Sequence, residues 1–394
     1  MAGPLTGVKI LDLSAIIAGP MATGLLADQG ADVIKVEPIG GGDLCRWLGP
    51  NHKGLGAMFA AVNRNKRSIA LNLKSAEGKA ILLDLARTAD VFVQNFRPGA
   101  IQRMGLGYDV LKALNPRLIY VSMSGFGQDG PYAKRRVYDP VVQAMSGFAD
   151  SQKDRTTRAP QLIQSIACDK VTALTAAQAI TAALFGRMSS GEGQHLTLNM
   201  LDATIAFLWP DAFYNYALLD NPAPPAPDFA DFYGIVKVKD GWITTITLSD
   251  DEFGDFCRAV GREDIMADPR FKDVFQRMAN AAALKEAFAE AVADFTTADI
   301  RARLEAEDVP HAVVLKREEV PDDPQVRFNG QIVTTDHPVA GRLRGVRPAA
   351  RFGGQPADER LPAPLLGQQT DEVLKELGRS EDQIAALRAG GIAG

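Results

Sequence analysis

The sequence predicts an α/β protein: a large domain with a mostly parallel open sheet flanked by helices, joined to a smaller α+β domain. Three observations predict it. Short apolar runs alternate with helix-period segments through the first 125 residues, as βαβ units require. Prolines then crowd residues 221–228 (Pro222, Pro224, Pro225, Pro227), a linker signal. Beyond them Asp240-Gly241 sits between two strand-like runs, a hairpin signal, and amphipathic helices follow.

Element by element, 8–14 reads as a strand, 18–30 as a glycine-bounded helix and 31–37 as a second strand. Residues 67–73 alternate as a strand does. In 75–88, Ile81, Leu82 and Leu85 share one helical face. Strands follow at 90–96 and 118–124, then a long alanine-rich helix over 169–188 and a strand at 194–200. In the small domain the hairpin strands fall at 233–238 and 242–248, with helices near 251–260 and 281–295. The stretch 326–364 reads as extended and Gly/Pro-punctuated, and 370–377 as a helical tail. The domain division is therefore 1–220 for the first part of the large domain, 225–318 for the small one, and 319–394 for a return linker and the end of the large domain.

The 394 residues are 46% hydrophobic and 23% charged with net charge −5, ordinary for a folded soluble chain. The acidic balance argues against a nucleic-acid partner. Cys45, Cys168 and Cys257 are scattered, and the four histidines do not cluster, so neither a disulfide framework nor a metal site is expected. A reducing cytoplasm fits that usage. No signal-peptide pattern opens the chain and no apolar run reaches 18 residues, so no membrane contact is expected.

The first unit imitates a dinucleotide fold: strand, Ala18-Gly19-Pro20…Gly24, then a strand ending in Glu37. The GxGxxG fingerprint is absent, and Pro20 occupies the middle of the turn. An α/β turn with a helix N-terminus accounts for the segment without a nicotinamide cofactor, and that N-terminus can still offer N–H groups to an anion.

A set of segments spread from residue 5 to about 377 resembles the family III CoA-transferases, which include formyl-CoA:oxalate and carnitine CoA-transferases and the α-methylacyl-CoA racemases. They are Leu11-Asp12-Leu13, Ala18-Gly19-Pro20, Gly30-Ala31-Asp32-Val33-Ile34-Lys35-Val36-Glu37, Gly42-Asp43, Asn65-Lys66-Arg67-Ser68 and Asn95-Phe96-Arg97-Pro98-Gly99. Ser124-Gly125-Phe126-Gly127, Tyr138-Asp139, Asp169 and Leu365-Leu366-Gly367 complete the set.

The resemblance implies acyl-CoA and a small carboxylic acid as substrates, no prosthetic group, and Asp169 as the catalytic aspartate. That carboxylate would attack the donor thioester, pass through a mixed anhydride to an aspartyl-CoA thioester, and hand CoA to the acceptor acid by the reverse sequence. A carboxylate in a first helical turn also has a purely structural use, as an N-cap. By the same resemblance, coenzyme A would meet Ile16 and Ala18, then Leu71 and Lys74 near its adenosine end. Asn95, Phe96 and Arg97 follow a strand end, with Arg103 and Met104 close behind. Arg136, Val137 and Tyr138 come from a later loop and Met200 from the strand after the catalytic helix. Cations suit the phosphates. Taken one at a time, each cation also fits a solvated surface, and Phe96 and Met104 fit core packing. The resemblance further implies an interlocked homodimer, with 221–228 and 319–364 as the linkers.

Three positions depart from relatives. Ile17 stands where oxalate-using members have Gln. Residues 220–233 lack their glycine-rich loop, and Pro38 replaces a cofactor-contacting Arg. These changes point to an acyl group larger or more apolar than oxalate. Racemases carry Gly-His-Asp where this chain has Val137-Tyr138-Asp139. Tyr is a poor acid/base substitute for His at neutral pH, so CoA transfer outranks racemisation. A non-catalytic CoA-binding protein is the third alternative.

Overall fold

The computed structural model describes every residue except 1–2, 155, 221, 223, 229–232, 355–356 and 358; part of the proline-rich linker reading and part of the 326–364 reading thus lie outside the described residues. By compactness the chain divides into Met1–Phe207 with Gln325–Gly394, and Leu208–Pro324.

In the larger unit six strands form one sheet: β1 (Lys9–Asp12), β2 (Asp32–Glu37), β3 (Lys66–Ala70), β4 (Val91–Gln94), β5 (Ile119–Ser124) and β6 (His195–Asn199). Their order is β3-β2-β1-β4-β5-β6 and every neighbour pair is parallel. The open α/β class predicted from the alternation is what the chain adopts. The reversal of order lies between β1 and β4, so their carboxyl ends open a crevice there, the usual ligand position in such sheets.

Alternate strand residues separate into two apolar layers, as the period of two demands. Leu11, Ile34, Phe92 and Tyr120 face one side, where Ile81, Leu82 and Leu85 of α2 (Ala76–Ala86) cover them. Ile10, Val33, Val93 and Val121 face the other, beneath α1 (Ala18–Asp28) and the helix Ala167–Ser190. The small side chains Ala22, Ala173, Ala176 and Ala177 sit in that second layer and leave room for these two helices to approach closely. Two more helices border the crevice: α3 (Asp139–Met145) precedes α4 (Ala167–Ser190), and α5 (Met200–Ala212) follows β6.

Against this apolar background the strands bury charge. Asp12 and Lys66 have fully buried side chains paired at 2.9 Å. Lys66 Nζ also donates to the Pro20 carbonyl (2.7 Å), Thr23 Oγ1 (2.8 Å) and Asn63 Oδ1 (2.9 Å). Lys35 pairs with Asp43 at 2.9 Å and donates to the Ser14 carbonyl at 2.9 Å. Glu37 takes a two-pronged contact from Arg46 (2.8 and 2.7 Å) and the Ser68 hydroxyl at 2.7 Å. Glu37 is the acidic residue that a dinucleotide fold would turn toward a ribose, and here both its oxygens are occupied. Burial alone would raise the Asp12 carboxyl and lower Lys66. The Lys66 and Lys35 cations hold Asp12 well below the usual carboxylate range. Lys66, desolvated and repelled by Lys35 although Asp12 attracts its proton, is pushed down to about 8.

The chain end closes the β3 edge. Gly394 N–H donates to the Ala70 carbonyl (3.0 Å) and Asn72 N–H to the Ile392 carbonyl (2.9 Å). Two helices, α9 (Thr370–Glu376) and α10 (Glu381–Ala389), stand where the sequence reading predicts a single tail helix at 370–377. The second was legible: Ser380 and Gln383 form a capping box. Within 326–364 the structure has a hairpin, β10 (Ile332–His337) with β11 (Gly341–Val346), where the sequence shows only extended chain. β10 is largely half-buried and β11 largely exposed, and neither carries an apolar alternation to read.

The smaller unit has an antiparallel sheet of β7 (Val236–Lys237), β8 (Trp242–Thr245) and β9 (His311–Val313), with β8 central. The Asp240-Gly241 turn joins β7 and β8 as read. Helices α6 (Asp250–Val260), α7 (Ala281–Val292) and α8 (Thr297–Ala306) pack on it around Phe253, Phe256 and Phe288. No helix among the described residues is long and apolar enough to cross a membrane.

Replacing Lys66 with Met leaves the Asp12 carboxylate buried without its closest cation. Urea unfolding at neutral pH should show a loss of about 3–5 kcal/mol. The double variant Asp12→Leu, Lys66→Met should lose less than the sum of the two single variants. Additive losses would mean that the pair is not coupled.

Candidate active site at the sheet switch point

The site is built on the turn between β1 and α1. Asp12 Oδ1 accepts the Ser14 N–H at 2.9 Å and also the Ser14 hydroxyl. Asn95, just beyond β4, clasps Ala15 from both sides: its Oδ1 accepts the Ala15 N–H (2.9 Å) and its Nδ2 donates to the Ala15 carbonyl (2.8 Å). Asp43 Oδ1 accepts the Ile16 N–H at 2.9 Å. Between these ties Ile16 is held at φ 70°, a left-handed conformation that a β-branched residue adopts at a cost of about 1–3 kcal/mol. Gly19 permits the tight return, since a Cβ there would lie 2.2 Å from the Ser14 Cβ. Gly125, at the end of β5, serves likewise: a Cβ would fall 2.2 Å from Val137 Cγ1.

Above this turn opens a cavity of about 330 Å³. Its wall includes Ile16, Ile17 and Ala18 from the turn, Asn95 and Arg97 beyond β4, and Met123 to Gly125 at the end of β5. Residues 135–138 close one side, and Asp169, Thr172 and Met200 another.

Asp169 is the third residue of α4, not its cap; Ile166 occupies the cap position and makes no side-chain bond. The structural role that a first-turn aspartate could fill is therefore not the one it performs. Instead the Asp169 N–H donates to Asp139 Oδ2 at 2.9 Å. Asp139 is buried in α3, and its other oxygen accepts from Gln143 Nε2 at 2.6 Å. Burial and the Asp139 charge together push the Asp169 carboxyl up to about 6, while the Ala18 N–H at the start of α1 draws it down. No cation among the described residues pairs with it. The result is a half-buried carboxylate at a cavity wall, facing a helix N-terminus and titrating close to neutrality, which is a combination suited to nucleophilic work.

Of the other residues singled out from the sequence, Ile16, Ala18, Asn95, Arg97, Arg136, Val137, Tyr138 and Met200 lie on the same cavity wall. Asn95 has both polar side-chain atoms committed to Ala15. Tyr138 is 64% exposed. Leu71, Lys74, Phe96, Arg103 and Met104 lie outside that wall. Leu71 is 1% exposed and bridges to Ala393, while Phe96 and Met104 pack against the sheet core. Lys74 and Arg103 are exposed. Sequence reading missed Ala15, Met123, Thr172 and Arg135 on the wall; the run Lys134-Arg135-Arg136 was the available signal for the last. Among the described residues no group of His, Cys, Asp and Glu could hold a metal ion.

Over nearly its whole length the chain is similar to known proteins. Residues 5–370 match the model of CoA-transferase family III. Human succinyl-CoA:glutarate CoA-transferase is 35% identical over 99% of this chain and 90% of its own length. The formyl-CoA:oxalate CoA-transferase of Escherichia coli O157:H7 is 34% identical over 98% of this chain and 99% of its own. The crystal structure of a CAIB/BAIF family protein from Brucella suis superimposes with a TM-score of 0.83 at 33% identity, covering 96% of this chain and all of that one.

The raised Asp169 value has a thermodynamic consequence. The folded state holds this proton more tightly than the unfolded state. The penalty is absent below the ordinary value of 3.8, grows as pH rises toward about 6, and is constant above. Asp169→Asn should therefore stabilise the protein at neutral pH, with a gain that fades as pH falls from 6 to 4; each unit of displacement corresponds to about 1.4 kcal/mol. Unfolding midpoints across that range measure it. In Asp139→Asn, which keeps the acceptor oxygen, carbon-13 NMR should show the Asp169 titration moving back toward the ordinary carboxylate range.

Proposed function

The chain belongs to CoA-transferase family III, and from that premise we propose that it moves CoA from an acyl-CoA donor to a carboxylic acid acceptor through a covalent intermediate on Asp169. The observation that carries the reading is the Asp169 carboxyl itself. It lies on a cavity wall, is relieved of any capping duty by Asp139, and has no cation paired with it among the described residues.

The steps balance without a net proton. An Asp169 oxygen attacks the thioester carbonyl, the C–S bond breaks, and the CoA thiolate leaves; a mixed anhydride remains. The thiolate then attacks the Asp169 carbonyl carbon and expels the donor's carboxylate, giving an aspartyl-CoA thioester. The acceptor carboxylate attacks that thioester, the thiolate departs again, and its return to the acceptor's carbonyl frees Asp169. The N–H groups that open α1, at Ala18 and Gly19, are the available donors for the oxyanion formed at each attack. The strained turn at Ile16 supplies their fixed position. Arg97 and Arg136 serve the CoA phosphates in this reading, and the exposed Lys74 and Arg103 extend the cofactor track; Leu71, Phe96 and Met104 are taken up by packing instead. Among the described residues no histidine lies on the wall, where racemisation would use one as a base.

The human relative is named for succinyl-CoA and glutarate and the Agrobacterium fabrum relative for succinate and glutarate, and we take short dicarboxylic acids as the substrate class. Ile17, buried beside the site, leaves oxalate without a polar partner there. Two chains interlocked as a homodimer complete the proposal; exposed Leu174, Phe185 and Met188 on α4 are apolar surface of the kind such a partner covers.

With succinyl-CoA and a panel of organic acids, Asp169→Ala should lose CoA transfer by about a thousandfold or more. Wild-type enzyme incubated with acyl-CoA and then hydroxylamine should carry a hydroxamate at Asp169 by mass spectrometry. Transfer that survives in Asp169→Ala removes the carrier. The wild-type rate should also fall on acidification through about pH 6, as the nucleophile is protonated. Light scattering should return twice the mass of one chain.

A further inference from the structure

We propose that Arg135 determines acyl specificity by binding the distal carboxylate of a dicarboxylic acyl group whose other end reacts at Asp169. The inference rests on the transferase reading above and deepens it by assigning a residue that the resemblance does not assign.

Among the described residues three arginines, Arg97, Arg135 and Arg136, line the cavity, and Asp169 is the one acid on its wall. Among the described residues none of the three side chains forms an ion pair. Arg135 differs from the other two in how it is held. Its guanidinium carbon stacks 3.8 Å from the centre of the Tyr132 ring, and its backbone N–H donates to the Tyr132 carbonyl at 2.9 Å. Tyr132 in turn packs edge-on against Phe126 at 6.0 Å between centroids. Stacking engages the face of the guanidinium and leaves its edge N–H groups open, so the fork is oriented before any ligand arrives.

That arrangement suits a carboxylate better than a polyphosphate. A phosphate chain is satisfied by point charge from many directions, whereas a carboxylate gains most from two parallel N–H donors in one plane. The rest of the cavity sharpens the need. Ile16, Ile17, Met123, Val137 and Met200 present apolar surface, against which an unpaired carboxylate would be costly. A monocarboxylic acyl chain would instead leave the cation unmatched. The cavity thus discriminates by whether the acyl group carries a second charge.

The test compares glutarate with pentanoate, acceptors of equal chain length, using one donor, succinyl-CoA, for wild type, Arg135→Met, Arg135→Lys and Tyr132→Leu. The readout is the ratio of kcat/KM for glutarate to that for pentanoate. In Arg135→Met it should fall by about thirtyfold or more. Arg135→Lys should recover part of that loss, and Tyr132→Leu, which frees the guanidinium without removing it, should lower the ratio by a smaller factor. CoA binding is followed in parallel by calorimetry. A ratio unchanged in Arg135→Met overturns the assignment, as does a loss of CoA affinity with the ratio intact, which would make Arg135 a phosphate ligand. A wild-type enzyme that uses pentanoate and not glutarate overturns the assignment and leaves the transferase reading standing. No transfer to either acid overturns both.

Discussion

The structure depends on burying two lysine–carboxylate pairs beneath a single turn. Asp12–Lys66 and Lys35–Asp43 lie where an open parallel sheet would ordinarily hold only aliphatic side chains. Desolvating four charges is expensive, and the attraction between partners offsets it only when further hydrogen bonds satisfy what remains. Here they do: Lys66 reaches Pro20, Thr23 and Asn63, and Lys35 reaches the Ser14 carbonyl. The consequence is positional. Ser14 and Ile16 are tied to members of these pairs, so the turn after β1 has one conformation, including the left-handed Ile16.

From that turn the site follows. α1 begins at Ala18, whose N–H meets the Asp169 carboxyl of α4, and Asn95 clamps Ala15 at the crevice between β1 and β4. The second tension lies between Asp139 and Asp169. Asp139 provides an acceptor for the Asp169 N–H and at the same time a like charge beside its carboxyl. A helix start usually favours an ionised acid. Here burial and the neighbouring charge outweigh that preference and raise the Asp169 carboxyl to about 6.

The legible parts of this protein were those with local periodicity or local chemistry. The six parallel strands and α1, α2 and α4 announced themselves through apolar runs and the 3.6-residue period, and the Asp240-Gly241 turn through its own conformational preference. The hairpin of β10 and β11 was not readable, because β10 is largely half-buried and β11 largely exposed, and neither carries an apolar alternation. The start of α4 was misplaced by two residues because Asp169 looks like a cap; the true cap position is Ile166, and the acceptor that replaces a capping side chain is Asp139, 30 residues earlier. Arg135 was passed over since a basic run carries no local mark of which cation faces a cavity.

By itself the sequence determined the fold class, through hydrophobic patterning that only one sheet arrangement can bury on both faces, and it singled out Asp169 among many acids through the motifs around it. Tertiary structure alone decided what that aspartate is. Its exposure, its distance from Asp139 and the helix start opposite it are set by segments far apart in the chain. An acid's proton affinity is a sum over everything that surrounds it in space, and no stretch of sequence contains that sum.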